Sequence, residues 1–131
     1  MNRVVCDASA VVAMLLDDGR DGHWATQALS GAELAAPQLL PFEAANVIRR
    51  HAAARLVSED QAAQAHADLL DLSVQSWPYE VLAARSWQLR TDLTSYDGSY
   101  VALAELLDTT LVTLDTRIGR APGIRCAITS P

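Results

Sequence analysis

A chain of 131 residues, half of them hydrophobic, can bury roughly two thirds of its unfolded surface in one domain, residues 1–131, without metals or disulfides. Only 5% of the residues are aromatic, so the core must be built mainly from Ala, Val and Leu. A net charge of −6 argues against general polyanion binding by bulk attraction, and because all ten basic residues are arginine, any mechanism that needs a lysine is excluded.

The first apolar run, Arg3 to Cys6, reads as a short strand ending at Asp7, followed by ASAVVAMLL, an apolar helix with Ser9 as its cap. Asp17 and Asp18 close this run, so neither a signal peptide nor a membrane span is expected and the compartment expected is the cytosol. Asp17 to Gly22 reads as a loop, His23 to Leu29 as a helix and Leu34 to Ala36 as a second strand. Pro41 stands at the first turn of the helix FEAANVIRRHAAARL, with Glu43 in that turn and Glu43, Asn46, Val47 and Arg50 on one face. Ser58 and Gln61 form a capping box for QAAQAHADLLDL, whose apolar stripe is Ala62, Ala65, Leu69 and Leu72, with His66 on the surface.

Val74 to Trp77 is a third strand, stopped by Pro78, and Tyr79 to Leu93 carries a helical apolar period. Thr94 and Asp97 fit a capping box at the start of the buried helix SYVALAELL, and after the break at Asp108 the run LVTL is a short buried strand ending at Asp115. A loop over Gly119 to Gly123 leads to a last strand, Arg125 to Ile128. Cys6 and Cys126 fall in the first and last strands without metal-ligand spacing and read as small buried hydrophobes. Strands alternating with helices at this spacing predict βαβ units and an α/β fold with a parallel sheet.

Asp7, Glu43, Asp97 and Asp115 then share one property, because each stands just past a strand or in the first turn of a helix. Each has a bland explanation alone: helix-dipole stabilisation for Glu43, capping for Asp97, a turn for Asp115. Together, in an open parallel sheet, those places converge on the carboxyl edge where such folds put their sites. Four carboxylates gathered there repel unless some take up protons or a cation holds them, and hard oxygen donors without His or Cys select Mg²⁺, with Mn²⁺ as substitute. Such a site suits phosphoryl chemistry with water as nucleophile, in a chain that has neither GxSxG nor a GxxxxGK[ST] phosphate loop.

The order DASA at Asp7, PFEAANVIRR around Glu43, TSYDGSYVALAE around Asp97 and TLVTLDTR ending at Asp115 resembles a PIN-domain ribonuclease, specifically the VapC toxins of bacterial toxin–antitoxin pairs. The resemblance spans nearly the whole chain. It implies a PIN-like three-layer fold with a five-stranded parallel sheet flanked by helices, a homodimer, Mg²⁺-dependent cleavage of transfer or ribosomal RNA, and inhibition by a VapB-type antitoxin. By matched position Asp7, Glu43, Asp97 and Asp115 are the catalytic, metal-site acids, and Ser9, Asn46 and Thr113 are their support. Gly98 departs from the family, which more often has Ala there, and should loosen the helix start by somewhat under about 1 kcal/mol.

Two other readings bear on the same acids. A response-regulator receiver has similar strand-end acids around Mg²⁺ but needs a lysine, which this chain lacks. A catalytically silent PIN-like binding module would use the acids only as caps, and metal-dependent RNA cleavage separates it from the nuclease. In an acidic protein, RNA must be met by locally placed arginines; Arg49 and Arg50 beside Glu43, and Arg117 and Arg120 after Asp115, are the candidates for phosphate contacts.

Overall fold

A computed structural model describes residues 2–131. Five strands form one sheet in the order β3-β2-β1-β4-β5, every neighbouring pair parallel. The strands are β1 (Arg3–Cys6), β2 (Glu33–Pro37), β3 (Val74–Trp77), β4 (Thr110–Val112) and β5 (Ile128–Thr129). Six α-helices connect them: α1 (Ala8–Leu16), α2 (Arg20–Leu29), α3 (Leu40–Ala53), α4 (Glu59–Asp71), α5 (Ala83–Gln88) and α6 (Ser95–Leu106). Helices α1, α3 and α4 pack on one another and α1 on α2, whereas α6, backed by α5, lies against β1, β2 and β4. The predicted three-layer α/β architecture is the one observed.

β1 lies at the centre because it is apolar on both faces: Val4, Val5 and Cys6 are all buried, as a strand covered by helices on either side requires. α6 is the other buried axis, with seven consecutive residues from Gly98 to Ala104 out of solvent. No helix among the described residues is long and apolar enough to cross a membrane.

Several boundaries differ from the sequence reading, each for a local reason. α2 begins at Arg20, inside the stretch read as a loop. Gly22 is a helix residue, since a Cβ there would lie 1.7 Å from the Asp17 carbonyl oxygen; the glycine serves close approach of α2 to the end of α1 rather than a turn. α3 stops at Ala53, short of the predicted Leu56, with Arg55 in the left-handed region at φ 57°. Tyr79 to Leu93 is not one helix: a 3₁₀ turn at Tyr79–Val81 precedes the six-residue α5. Leu82, Leu89 and Leu93 are buried across this break, so the apolar period persists where the helix does not.

The last strand is displaced to Ile128–Thr129, which leaves Cys126 outside any strand and partly exposed. The cause is an ion-pair clamp: Arg85 donates Nε to Glu105 Oε1 at 2.7 Å and Nη2 to the Gly123 carbonyl at 2.7 Å, while the Arg125 amide donates to Glu105 Oε2 at 2.8 Å. That amide is therefore bound to a carboxylate of α6 instead of to the sheet. The capping box of α4 forms as predicted, with Ser58 Oγ accepting from the Gln61 amide at 3.0 Å and Gln61 Oε1 from the Ser58 amide at 2.8 Å.

Gly98 proves to be more than a weak helix former. A Cβ there would meet Ser86 Oγ at 2.9 Å, so α6 approaches α5 closely at this point. Gly98→Ala is expected to leave stability within about 0.5 kcal/mol of wild type, because the helix-propensity gain is offset by displacement of Ser86 Oγ from the Ser95 carbonyl. In a Ser86→Ala background the same change should stabilise by roughly 0.5–1 kcal/mol in chemical denaturation. Equal effects in both backgrounds would mean that the Ser86 contact is not what the glycine accommodates.

Candidate active site

The strand order reverses at β1, whose neighbours are β2 on one side and β4 on the other, and a parallel sheet leaves a crevice beyond the carboxyl ends of its strands at such a point. Asp7 follows the last residue of β1 and Asp115 lies three residues past β4. Glu43 comes from the first turn of α3 and Asp97 from the first turn of α6.

Asp7 is the buried member, with 5% of its surface exposed. Its backbone is extended and its Oδ1 accepts from the Ala10 amide at 3.2 Å, so Asp7, rather than the predicted Ser9, caps α1. Ser9 instead donates Oγ to Asp7 Oδ1 at 2.6 Å and accepts the Leu114 amide at 3.0 Å. Thr113 matches it on the other carboxylate oxygen, donating to Asp7 Oδ2 at 2.6 Å while accepting the Asp115 amide at 2.9 Å. These two relays explain why β4 does not continue to Leu114: the Thr113 amide still donates to the Thr129 carbonyl, but the next two amides are taken by the hydroxyls of Ser9 and Thr113, which in turn hold Asp7. Ser9 and Thr113 thus each hold one oxygen of the Asp7 carboxylate.

Glu43 is held by Tyr100, whose hydroxyl donates to Glu43 Oε1 at 2.8 Å. Tyr100 is buried, 1% exposed, and its own ionisation is pushed far out of reach by burial and by the Glu43 charge. The residue was not singled out from sequence, although Asp97 and Tyr100 at i, i+3 on one helix was the available signal. Asn46 does not reach an acid; its Oδ1 accepts from Arg49 Nε at 3.0 Å on the exposed face of α3.

The capping reading of Asp97 is half right. Thr94 Oγ1 accepts the Asp97 amide at 3.1 Å, but no return bond from the Asp97 carboxylate to the Thr94 amide is made, unlike the complete box on α4. Asp115 also satisfies its bland reading: Oδ1 takes the Arg117 amide at 3.0 Å, and the Arg117 guanidinium grips both oxygens, Nε to Oδ1 at 2.9 Å and Nη2 to Oδ2 at 2.7 Å. Arg49, Arg50, Arg117 and Arg120 are all exposed, and of them Arg117 is the one paired with an acid among the described residues.

Electrostatics separate these carboxyls into two kinds. Asp7 is raised above its ordinary value by burial, against the pull of the Ser9 and Thr113 hydroxyls. Glu43 is raised by burial and by the charges of Asp97 and Asp7, and Asp97 by burial and by the charges of Asp115 and Asp7. Asp115 is lowered by its hydrogen bonds to Arg117. The acids are near enough to oppose one another's ionisation, and the one basic group among them is bound to the outermost.

Among the described residues no three His, Cys, Asp or Glu side chains are already gathered as a metal cage. Asp7 has both oxygens on hydroxyls, Glu43 has one on Tyr100, and Asp115 is turned onto Arg117. The donor set still fits a hard divalent cation, since it is all oxygen and a positive charge drawn in would offset the burial that raises Asp7, Glu43 and Asp97 and the repulsion that raises the latter two further.

The PIN domain model matches residues 4–124 of the chain. Ribonuclease VapC9 of Mycobacterium tuberculosis is 37% identical over 126 residues, 96% of each chain. Ribonuclease VapC1 of the same species is 38% identical over 129 residues, 98% of this chain and 97% of the relative. Among solved structures, DNA-bound VapBC from Salmonella typhimurium shares the fold with a TM-score of 0.65 at 16% identity, covering 98% of this chain and 97% of that one. A match that runs from β1 to the loop beyond β4, with relatives this similar over nearly their full length, means that the chain belongs to the PIN-domain family and, within it, to the VapC ribonucleases.

Proposed function

We propose that this protein is the toxin of a type II toxin–antitoxin pair, a Mg²⁺-dependent endoribonuclease that hydrolyses phosphodiester bonds of transfer or ribosomal RNA at Asp7, Glu43, Asp97 and Asp115. The observation that carries the reading is the convergence of Asp7, Glu43 and Asp97 at the switch point of the sheet, where burial raises all three carboxyls and the charge of Asp7 raises Glu43 and Asp97 further. When bound there, Mg²⁺ or Mn²⁺ supplies Lewis-acid stabilisation of the phosphate oxygens and makes water a competent nucleophile at neutral pH.

The protein's own contribution is orientation. Ser9 and Thr113 fix both oxygens of Asp7 against rotation, and each hydroxyl is itself oriented by a backbone amide of the loop after β4. Tyr100 holds Glu43 with a proton it does not release, which favours the ionised carboxylate. Arg117 keeps Asp115 ionised at the rim, and Arg49, Arg50 and Arg120 are free to meet phosphates. The test is cleavage of total RNA by the purified chain: products should form with Mg²⁺ or Mn²⁺ and stop with EDTA, and cleavage that persists in EDTA removes the metal mechanism.

The partner is a VapB-type antitoxin, in line with the VapBC neighbour, and the working form a cytosolic homodimer. A groove of about 470 Å³ between α1 and α3, with Val12, Leu16, Val47, Leu56 and Leu114 on its walls and Ser9 at its inner end, offers an apolar helix of that partner a seat leading to the acids. Leu56, 71% exposed, is its open wall. Leu56→Asp should weaken antitoxin binding at least tenfold, about 1.4 kcal/mol, while leaving RNA cleavage unchanged. Unchanged antitoxin affinity would move the partner off this groove.

A further inference from the structure

On the other side of the acids lies a second groove, of about 320 Å³, floored by Pro37 and Leu39 and ringed by Phe42, Tyr79 and Tyr96. The three rings are 81%, 48% and 61% exposed in a chain with only 5% aromatic residues, so a large share of its aromatic surface is concentrated at one place and left uncovered. Two of the rings stand one position before a site acid on the same helical turn, Phe42 before Glu43 and Tyr96 before Asp97, so the groove lies next to the elements that carry the acids. Ser99 donates to the Tyr96 carbonyl at 2.7 Å, which steadies the turn that presents this ring.

Resting on the ribonuclease reading above, we infer that this groove is a base-stacking subsite for the nucleotides that flank the cleaved phosphodiester. An RNA whose phosphate lies at the acids carries its neighbouring bases with it, and the nearest walls are aromatic faces. A base is neutral and flat, so it meets no repulsion from the adjacent carboxylates and stacks on Phe, Tyr or another base alike. Gln38, exposed on the groove wall and with no side-chain hydrogen bond to another described residue, can pair with a base edge. The subsite therefore selects single-stranded or splayed nucleotides over a stacked duplex, whose bases present no free face.

The test uses the full chain carrying Asp7→Asn, to prevent turnover, and a short fluorescein-labelled single-stranded RNA of mixed sequence. Phe42→Ala and Tyr96→Ala should each raise Kd by roughly five- to a hundredfold, and Tyr96→Phe should restore binding. The slope of log K against log salt should stay unchanged, since no phosphate contact is lost. An RNA with abasic positions should bind the parent and the alanine variants equally. A Kd unmoved by either alanine, in a parent chain whose wild-type form cleaves RNA, overturns the subsite and leaves the nuclease reading intact; a wild type that neither binds nor cleaves RNA sinks both. Loss of binding accompanied by conversion of a dimer to a monomer in sedimentation would assign the groove to a second copy of this chain and overturn the subsite.

Discussion

Asp7→Asn is expected to lower RNA cleavage by at least about a hundredfold, the upper end of what losing mere support of a metal ligand costs, while the fold survives. Asparagine separates the two roles that Asp7 combines. It is as good an N-cap as aspartate, so its Oδ1 can keep the Ala10 amide and α1 keeps its start. Thr113, which now donates to Oδ2, can accept from the new amide with a free lone pair of its hydroxyl, and the loop after β4 keeps its anchor. Only the charge is lost. Asp97→Asn should have a similar effect, and the double variant should cost little more than either, because groups that act on one reaction centre are not additive. Metal-free thermal stability should stay level or rise in both single variants, since a desolvated charge leaves a repelling cluster. Full activity in Asp7→Asn would return this acid to capping alone, the reading expected of a silent PIN-like binding module.

The second expectation concerns stability without metal, and its sign follows from the same carboxyls. Asp7, Glu43 and Asp97 have folded pKa values above their ordinary 3.8, 4.5 and 3.8, so across the interval just above these values the folded chain holds more protons than the unfolded one. Their contribution is fully present below the ordinary values and is lost as pH rises through the raised ones. Two acids run the other way. Asp115 is lowered by Arg117, and Glu105, despite its burial, is lowered by Arg85 and the Arg125 amide; what they contribute is present above the ordinary values and lost as pH falls through their lowered ones. Metal-free protein should therefore be most stable at mildly acidic pH, somewhat above 4.5, and less stable at neutral pH.

Mg²⁺ removes the penalty at neutral pH. At about a hundred times its dissociation constant it should stabilise by about 2.7 kcal/mol, a rise in Tm on the order of 10 °C for a domain of this size, with little effect in Asp7→Asn. Thermal melts from neutral pH downward, with and without Mg²⁺, check both parts. A neutral-pH Tm that is the same with and without the ion, together with no rise on acidification, would mean that these acids neither repel one another nor hold a cation.

The alternation of helix and strand and the parallel sheet were legible in the sequence because each rests on local pattern. RVVC is apolar at every position but the first, and only a strand covered on both faces tolerates that. The four acids were legible through their common place at strand ends and first helical turns. The complete box of Ser58 and Gln61 could be read three residues apart because a cap is a contact within one turn.

What the tertiary structure alone decided is everything that depends on two distant segments meeting. The chain leaves the sheet after Thr113 because the Leu114 amide meets Ser9, 105 residues earlier, while the Thr113 hydroxyl meets an acid 106 residues earlier and Tyr100 orients a glutamate 57 residues away. β5 is shortened because Arg125 is bound to Glu105, and Gly98 is constrained by Ser86 on a neighbouring helix rather than by its own helix propensity. Nor could the sequence distinguish Arg117, paired with Asp115, from Arg49, Arg50 and Arg120, equally exposed and in no salt bridge among the described residues. Periodicity reports which face of an element is apolar, whereas a hydrogen bond between side chains is specific to an angle and a distance that only the packed sheet and its helices impose.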